Sequence, residues 1–373
     1  MMLPANERVL LGPGPSLMSP RVMKALSAPM LSHLDPQFVE IMDDVRARLG
    51  RVFQAPEGSF AFAVSGTGTS AMETAIANLI APGTRVLSVV TGYFGDRLAQ
   101  MATRYGANVT RVDAEWGRAI DPEQVRRALK ASGAEIVTIV HAETSTGVLN
   151  PVQAVAAIAH EHGALVIVDA VTSLGGMPLD VASWGLDAVY SCSQKCLGAP
   201  SGMSPIVFSP RALEKKVACR SFYFDVALLE DYWVRRKYHH TMSASLVYAL
   251  REALVAVEEE GLQARWARHE RNHLAFAKAI EPLGLSLLPA PGERLWTLNA
   301  VKVPQGVDDA AIRKYLLQHY NIEIGAGLGP LAGKIFRIGL MGTSSSQELV
   351  DLLTGALEKG LNSLVQGLHK SGA

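Results

Sequence analysis

The chain has 373 residues, of which 49% are hydrophobic and 19% are charged, so it can bury a large core and is not intrinsically disordered. Its 35 basic residues balance its 35 acidic residues, and this lack of a basic surplus argues against nucleic-acid binding by bulk charge. At about 100–200 residues per domain, the length predicts two domains.

Cysteine usage and the absence of targeting signals indicate the compartment. Cys192, Cys196 and Cys219 are too few for a disulfide framework and suit a reducing environment. The first residues lack a basic segment followed by an apolar one, and no run approaches the roughly 18 apolar residues of a membrane helix. We therefore expect a cytoplasmic protein that does not enter a membrane.

The N-terminal arm, residues 1–20, is rich in Gly and Pro at Gly12–Ser16 and cannot form a helix or a central strand there. A helix is predicted to begin at Ser19-Pro20, where a capping residue precedes proline. From residue 61 to about residue 209, near-continuous apolar runs alternate with helical patterns, which is typical of a mostly parallel sheet covered by helices. The predicted strands are Ala61–Val64, Arg85–Val90, Glu135–Val140, Ala164–Val168, Asp187–Ser191 and Pro205–Phe208.

The C-terminal third of the chain has a different pattern. A long helix is predicted from about Ser243, followed by strands at Thr297–Val303 and Lys334–Ile338. An amphipathic helix then runs from Ser346 to about Val365. We predict an α/β protein with an arm at residues 1–20, a large domain at residues 21–255 and a smaller α+β domain at residues 256–373.

A run of small residues, Ser65–Ser70, lies between an apolar strand and an apolar-periodic helix. Small residues at a helix N-terminus allow backbone N–H groups and hydroxyls to approach an anion, which the helix dipole also favours. The spacing matches neither a Walker A loop nor the full dinucleotide-binding fingerprint. The run therefore indicates a phosphate site, with a simple tight turn as the alternative.

Asp169 directly follows a buried strand. Open α/β sheets bind their ligands at the carboxyl ends of the strands. The carboxylate could serve a magnesium ion, a ribose or a protonated ring nitrogen, or it could cap the next turn. The residue by itself does not decide among these roles.

Lys195 is a solitary lysine among small and apolar residues, in the segment Ser191–Pro200. Desolvation disfavours the cationic form and leaves an amine that can attack a carbonyl carbon. A cofactor with an aldehyde, a ring nitrogen and a phosphate would use Lys195, Asp169 and the Ser65–Ser70 run together. Pyridoxal 5′-phosphate is such a cofactor.

With this combination, nearly the whole chain resembles the fold-type I, class V pyridoxal-phosphate aminotransferases, and most closely the alanine–glyoxylate and serine–pyruvate group. The resemblance implies a large domain with a mostly parallel sheet and a smaller α+β C-terminal domain. The matching motifs are Leu11–Ser16, Ser65–Gly68, Glu143–Val148, Val168-Asp169 with Ser173–Gly176, Ser193–Lys195, Tyr238–Thr241 and Phe336–Gly339.

The resemblance implies a role in the reaction for five residues. Lys195 forms the aldimine with the cofactor and later moves the proton between the substrate α-carbon and the cofactor. Asp169 pairs with the pyridinium nitrogen, and Ser145 forms a hydrogen bond on the ring side. Val171 packs beneath the ring, and Arg337 binds the substrate α-carboxylate with its guanidinium fork.

The phosphate is expected to be held by Gly68, Thr69 and Gln194, joined by Tyr238 and Thr241 of the partner subunit in a homodimer with a shared active site. Two positions depart from the family pattern. Phe94 stands where these enzymes have Trp, and Thr69 stands where they have His. Phe94 can still stack on the ring and Thr69 can still donate to phosphate, so the departures bear on substrate preference.

The expected reaction moves an amino group from alanine or serine to glyoxylate or pyruvate. An aminotransferase acting on an aminophosphonate or another small amine is the alternative, because one arginine does not distinguish a carboxylate from a phosphonate. A cysteine desulfurase needs a nucleophilic cysteine in the second domain, and no Cys follows Cys219. A nicotinamide dehydrogenase needs a glycine fingerprint in its first βα turn, which this chain lacks.

No metal is expected. His239 and His240 resemble metal ligands, but adjacent side chains in an extended segment are expected to lie on opposite sides of the backbone.

Overall fold

The computed structural model describes residues 8–371 of the chain, and the side chains of this part up to residue 363. In chain order its strands are β1 (Val9–Leu10), β2 (Phe60–Ser65), β3 (Arg85–Val90), β4 (Asn108–Asp113), β5 (Ile136–Val140), β6 (Ala142–Glu143), β7 (Val148–Leu149), β8 (Leu165–Asp169), β9 (Ala188–Tyr190), β10 (Met203–Phe208), β11 (Leu298–Lys302), β12 (Ile322–Glu323), β13 (Gly325–Ala326) and β14 (Ile335–Gly339).

The α-helices of the same part of the chain are α1 (Pro20–Leu26), α2 (Pro36–Val52), α3 (Gly68–Leu79), α4 (Tyr93–Arg104), α5 (Pro122–Ser132), α6 (Val152–Glu161), α7 (Pro210–Glu214), α8 (Val226–Trp233), α9 (Ala244–Glu260), α10 (Leu262–Ile280), α11 (Asp309–Tyr320) and α12 (Gln347–Ser371). In the described residues, no helix has the length and apolar character needed to cross a membrane.

The larger sheet has seven strands in the order β2-β10-β9-β8-β5-β3-β4. Five of them, β9, β8, β5, β3 and β4, are parallel to one another, whereas β10 is antiparallel to both β9 and β2. Every residue of β5 and β8 is buried, as expected for strands covered by helices on both faces. The predicted mostly parallel α/β sheet is therefore confirmed.

Helix α6 shows how local sequence places these covering helices. Pro151 precedes its first residue, and Gly163 follows its end with a φ of +74°. This left-handed conformation is available to glycine at little cost, so the chain can turn directly into β8. The buried face of α6 includes Val155 and Ala156, with Ala159 four and three positions after them, and packs against the sheet.

A second hydrophobic core lies beside a three-stranded antiparallel sheet, β11-β14-β13, with α10, α11 and α12 around it. The N-terminal arm joins this core, because β1 pairs in parallel with β12 and Leu11 is fully buried. The predicted division at residue 255 falls inside α9, whose Val257 still packs in the first core. That division remains our proposal for the domain boundary.

Candidate active site

A cavity of about 160 Å³ lies at the carboxyl ends of the sheet strands, where ligands of open α/β sheets bind. Its walls bring together seven of the predicted site residues, namely Gly68, Thr69, Phe94, Asp169, Val171, Gln194 and Lys195. A cleft of about 590 Å³ between α1, α2 and α9 is larger, but no predicted site residue lines it. The smaller cavity is therefore the candidate active site.

Lys195 lies in the loop after β9, and its Nζ donates a hydrogen bond to the carbonyl oxygen of Pro13. No carboxylate forms an ion pair with it among the residues the structure describes. Burial lowers the pKa of Lys195, and the charge of Arg337 lowers it further. Burial also raises the pKa of the neighbouring Cys192 thiol to about 12. The site thus holds an amine biased toward its neutral, nucleophilic form beside a neutral thiol.

The N-terminal arm packs directly over Lys195. Ser16 donates from its backbone N–H to the carbonyl of Gln194 at 2.9 Å and from its hydroxyl to the carbonyl of Lys195 at 2.8 Å. Gly14 has a φ of +111°, and a Cβ there would lie 2.5 Å from Lys195 Nζ. The glycine at this position therefore leaves the room that the lysine side chain occupies.

We expect Gly14→Ala to lower kcat/KM by about 10- to 100-fold, because the added methyl group overlaps the amine and the backbone conformation disfavours alanine. Steady-state kinetics would measure the loss. Gly50→Ala is the matched control, since a Cβ at Gly50 in α2 meets no atom within 4 Å. Equal kcat/KM values for Gly14→Ala and Gly50→Ala would show that a side chain at residue 14 does not disturb Lys195.

Asp169 is the last residue of β8 and is buried. Its Oδ1 accepts from the backbone N–H of Val171 at 2.9 Å, and its Oδ2 accepts from the Tyr190 hydroxyl at 2.9 Å. Burial raises the pKa of Asp169 to about 7. A cation beside Asp169 would offset the free-energy cost of burying its negative charge. The carboxylate therefore suits a protonated ring nitrogen.

The opposite end of the cavity suits an anion. Helix α3 begins there at Gly68, and the side chain of Thr67 at its start makes no capping hydrogen bond. The first N–H groups of a helix lack partners within the helix and attract negative charge. The side-chain oxygen of Gln194 is buried and has no hydrogen-bond partner in the described residues. This oxygen accepts hydrogen bonds and so does not bind a phosphate, but the N–H₂ group of the same amide can donate to a phosphate at the start of α3.

Glu143 is a buried carboxylate to which sequence reasoning gave no role. It accepts from the backbone N–H of Gly95 at 3.1 Å and of Ser145 at 3.1 Å, and from the N–H of Phe94 at 3.4 Å. It therefore fixes the start of α4 and with it the Phe94 ring on the cavity wall. An acidic residue three positions after the end of an apolar strand, in Val140–Glu143, was the signal in the sequence.

Ser145 is fully buried but is not part of the cavity wall. Its hydroxyl donates to Glu143 Oε1 at 2.5 Å and accepts from the backbone N–H of Tyr93 at 2.9 Å. The Ser145 hydroxyl thus already donates to Glu143, the residue that fixes the start of α4. The neighbouring Thr144 lines the cavity instead. A direct hydrogen bond from Ser145 to a cofactor remains a proposal.

Arg337 lies on β14, largely buried, and its Nε donates to the carbonyl of Ala326 at 2.6 Å. Burial lowers the pKa of Arg337 to about 10, and the charge of Glu143 opposes this effect. Among the described residues no acceptor bonds its two terminal nitrogens. The fork is therefore available to a carboxylate.

Tyr238 and Thr241 lie between α8 and α9, outside the cavity of their own chain. Tyr238 is 62% exposed and its ring centroid is 5.4 Å from that of His33. In the same segment the rings of His239 and His240 face each other, with their Nδ1 atoms 2.8 Å apart. The expected placement of these two rings on opposite sides is wrong, because the segment is not regularly extended. Within the described chain, no group of three or more metal-ligating side chains forms.

Comparisons with known proteins agree with this geometry. The sequence model of the family described as aminotransferase class-V matches residues 10–352. The chain is 39% identical to an alanine–glyoxylate aminotransferase of Drosophila melanogaster, over 97% of this chain and 94% of that protein.

Among the solved structures that share its fold are two glyoxylate aminotransferases. One is an alanine–glyoxylate aminotransferase from Nostoc sp., with a TM-score of 0.93 and 46% identity, covering 97% of this chain and 98% of that one. The other is a ureidoglycine–glyoxylate aminotransferase from Bacillus subtilis, with a TM-score of 0.95 and 38% identity, covering 97% and 95%. The predicted fold-type I architecture is confirmed, and the chain belongs to the class-V aminotransferases.

Proposed function

We propose that this class-V aminotransferase binds pyridoxal 5′-phosphate in the cavity at Lys195 and transfers the amino group of alanine or serine to glyoxylate or pyruvate. The observation that carries the proposal is the presence, in one cavity, of three features: a lysine of lowered pKa that forms no ion pair with the described residues, a buried carboxylate and a helix N-terminus. Each suits a different part of the cofactor.

The residues present fit the cofactor group by group. Lys195 Nζ is suited to the aldehyde, Asp169 to the ring nitrogen, and the start of α3 with the amide N–H₂ group of Gln194 to the phosphate. Phe94 and Val171 supply apolar walls for the ring. When bound, pyridoxal phosphate supplies an electron sink that makes the substrate α-proton acidic.

Different residues of the chain would then perform different parts of the reaction. The protonated ring nitrogen would keep Asp169 ionised, and the Asp169 carboxylate would in turn keep that nitrogen protonated. Lys195 Nζ, biased toward its neutral form, can accept the α-proton and return it. The arm residues Pro13 and Gly14 cover this amine and limit the access of water.

Arg337 would bind the substrate α-carboxylate, since its two terminal nitrogens have no acceptor among the described residues and a guanidinium matches a carboxylate in shape. We expect Arg337→Ala to lower kcat/KM by roughly 10- to 150-fold, the loss of about 1.5–3 kcal/mol of charge-assisted hydrogen bonding. The visible spectrum of the resting enzyme should not change. Arg337→Lys should recover only part of the activity.

Arg271→Ala is the matched control for Arg337, because Arg271 is exposed on α10 and forms no ion pair in the described chain. It should leave kcat/KM unchanged. Loss of bound cofactor with unchanged substrate affinity in Arg337→Ala would reassign this residue to the cofactor.

The names of the Drosophila, Nostoc and Bacillus relatives share glyoxylate, which favours glyoxylate as the acceptor of this chain. The donor is best decided by a panel of alanine, serine, (S)-ureidoglycine and an aminophosphonate, each with glyoxylate and with pyruvate. We expect alanine or serine to give the highest kcat/KM. A preference for the aminophosphonate would favour the second candidate, because one arginine also binds a phosphonate.

We also propose that the enzyme is a cytoplasmic homodimer with a shared active site, in which Tyr238 and Thr241 of the partner subunit contact the cofactor phosphate. Support comes from the exposure of both side chains outside their own cavity. Large apolar side chains are also exposed, among them Met30 at 78% and Phe222 at 71%. Such surface is typical of an interface.

Co-expression of two inactive variants tests the shared site. Lys195→Ala and the double variant Tyr238→Phe, Thr241→Ala are expected to form heterodimers with one complete site, and so to recover up to about half the activity of a wild-type dimer. Activity of each variant alone is the control. Verified heterodimers without activity, or a monomer in solution, would contradict the shared site.

A further inference from the structure

Arg97 also lines the cavity, and neither the cofactor contacts nor the substrate contact proposed above involve it. It lies on α4, and its guanidinium carbon sits 5.0 Å from the ring centroid of Phe94 and 5.2 Å from that of Tyr93. Its Nη1 donates to the Thr69 hydroxyl at 3.2 Å. Arg97 thus contacts both positions at which this chain departs from the family pattern, Phe94 and Thr69.

The charge of Arg97 is not balanced within the described part of the protein. No ion pair involves it there, and Thr69 is the single hydrogen-bond partner of its guanidinium. By contrast, Arg111, which follows α4, pairs with Asp96 and Asp113. An arginine that faces a cavity with unused N–H donors is suited to bind an anion there.

The residues around Arg97 indicate which anion it would bind. Thr69 belongs to the first turn of α3, where the helix dipole and the free N–H groups already favour negative charge. Gln194, whose amide N–H₂ group can donate, lines the same cavity. Three donor groups of different origin therefore lie around one anion position, whereas Arg337, on the second sheet, is left to the substrate carboxylate.

We propose that Arg97 binds the phosphate of the cofactor, together with Thr69 and the first turn of α3. The inference rests on the proposed function, because it requires pyridoxal phosphate in this cavity. Stacking of the guanidinium on Phe94 holds the arginine in place and couples the phosphate contact to the aromatic wall.

Affinity for the cofactor with and without its phosphate tests this role. Cofactor-free wild type, Arg97→Gln, Arg97→Lys and Arg104→Gln are titrated with pyridoxal 5′-phosphate and with pyridoxal, and bound ligand is measured by equilibrium dialysis. Arg104 is the matched control, because it lies on the same helix, is exposed and is not part of the cavity wall.

We expect Arg97→Gln to raise the Kd for pyridoxal phosphate by about 10- to 100-fold and to leave the Kd for pyridoxal nearly unchanged. Arg97→Lys keeps the charge without the fork and should lie between Arg97→Gln and wild type. Arg104→Gln should bind both ligands as wild type does. Inorganic phosphate should compete with pyridoxal phosphate less well in Arg97→Gln than in wild type.

Equal weakening of both ligands would overturn the proposal, since Arg97 would then support only the Phe94 wall. Unchanged affinity for pyridoxal phosphate with a raised KM for the amino acid would also overturn it, and would assign Arg97 to the substrate. Wild-type protein that binds no pyridoxal phosphate would instead contradict the proposed function itself.

Discussion

Replacing Lys195 by alanine is expected to lower kcat by about 10⁴-fold or more, the largest effect of any single substitution in this protein. Lys195 is the amine in the cavity, its pKa is lowered by burial, and no carboxylate pairs with it in the described residues. The variant loses the hydrogen bond from Lys195 Nζ to Pro13 but should still fold, because two other hydrogen bonds attach the lysine loop to the arm through the backbone carbonyls of Gln194 and Lys195.

Single-turnover and steady-state kinetics on Lys195→Ala would measure this loss, with Lys278→Ala as the control. Lys278 is exposed on α10 and does not line the cavity. The alanine variant should retain binding of pyridoxal phosphate through the phosphate and ring contacts. Turnover within tenfold of wild type would show that another amine performs the reaction.

Asp169→Asn is expected to lower kcat by about 10²–10³-fold, the range found when one preorganised electrostatic contact to a developing charge is removed. Asparagine keeps the shape of the side chain and an acceptor for the Val171 N–H, but it carries no charge. The ring nitrogen would then lose the anion that keeps it protonated, and the cofactor would withdraw electrons less effectively.

Tyr190→Phe separates the charge of Asp169 from its hydrogen bond. It removes the Tyr190 hydroxyl that donates to Asp169 Oδ2 but keeps the carboxylate, and it should lower kcat by less than about tenfold. Steady-state kinetics with saturating pyridoxal phosphate would compare the two variants. A wild-type kcat for Asp169→Asn would contradict the assigned partnership with the ring nitrogen.

The features predicted from sequence are those that local patterns encode. Asp169 follows an apolar run, and Lys195 follows another strand within a segment of small residues, so each could be placed at the carboxyl end of a buried strand. Parallel strands bring those ends to one edge of a sheet, which is why distant segments could be assigned to one site. The direction of β10 was not encoded in this way, because a strand's local pattern does not specify its orientation.

The features that sequence reasoning missed depend on contacts between distant segments. Pro13 and Lys195 are separated by 182 positions, and no periodicity predicts that the arm covers the lysine. Glu143 accepts hydrogen bonds from the hydroxyl of Ser145 and from the start of α4, and no local pattern predicts that these segments meet. Arg97 looks like an ordinary surface residue of α4 until α3 is placed beside it.

Chemical labelling would show whether Lys195 carries the cofactor. Protein purified with pyridoxal phosphate is reduced with borohydride, which makes the bond between the lysine and the cofactor permanent, and is then digested and mapped by mass spectrometry. We predict one pyridoxyl group per chain, on Lys195. A label on a different lysine, or no label at all, would contradict the assignment of the cofactor to Lys195.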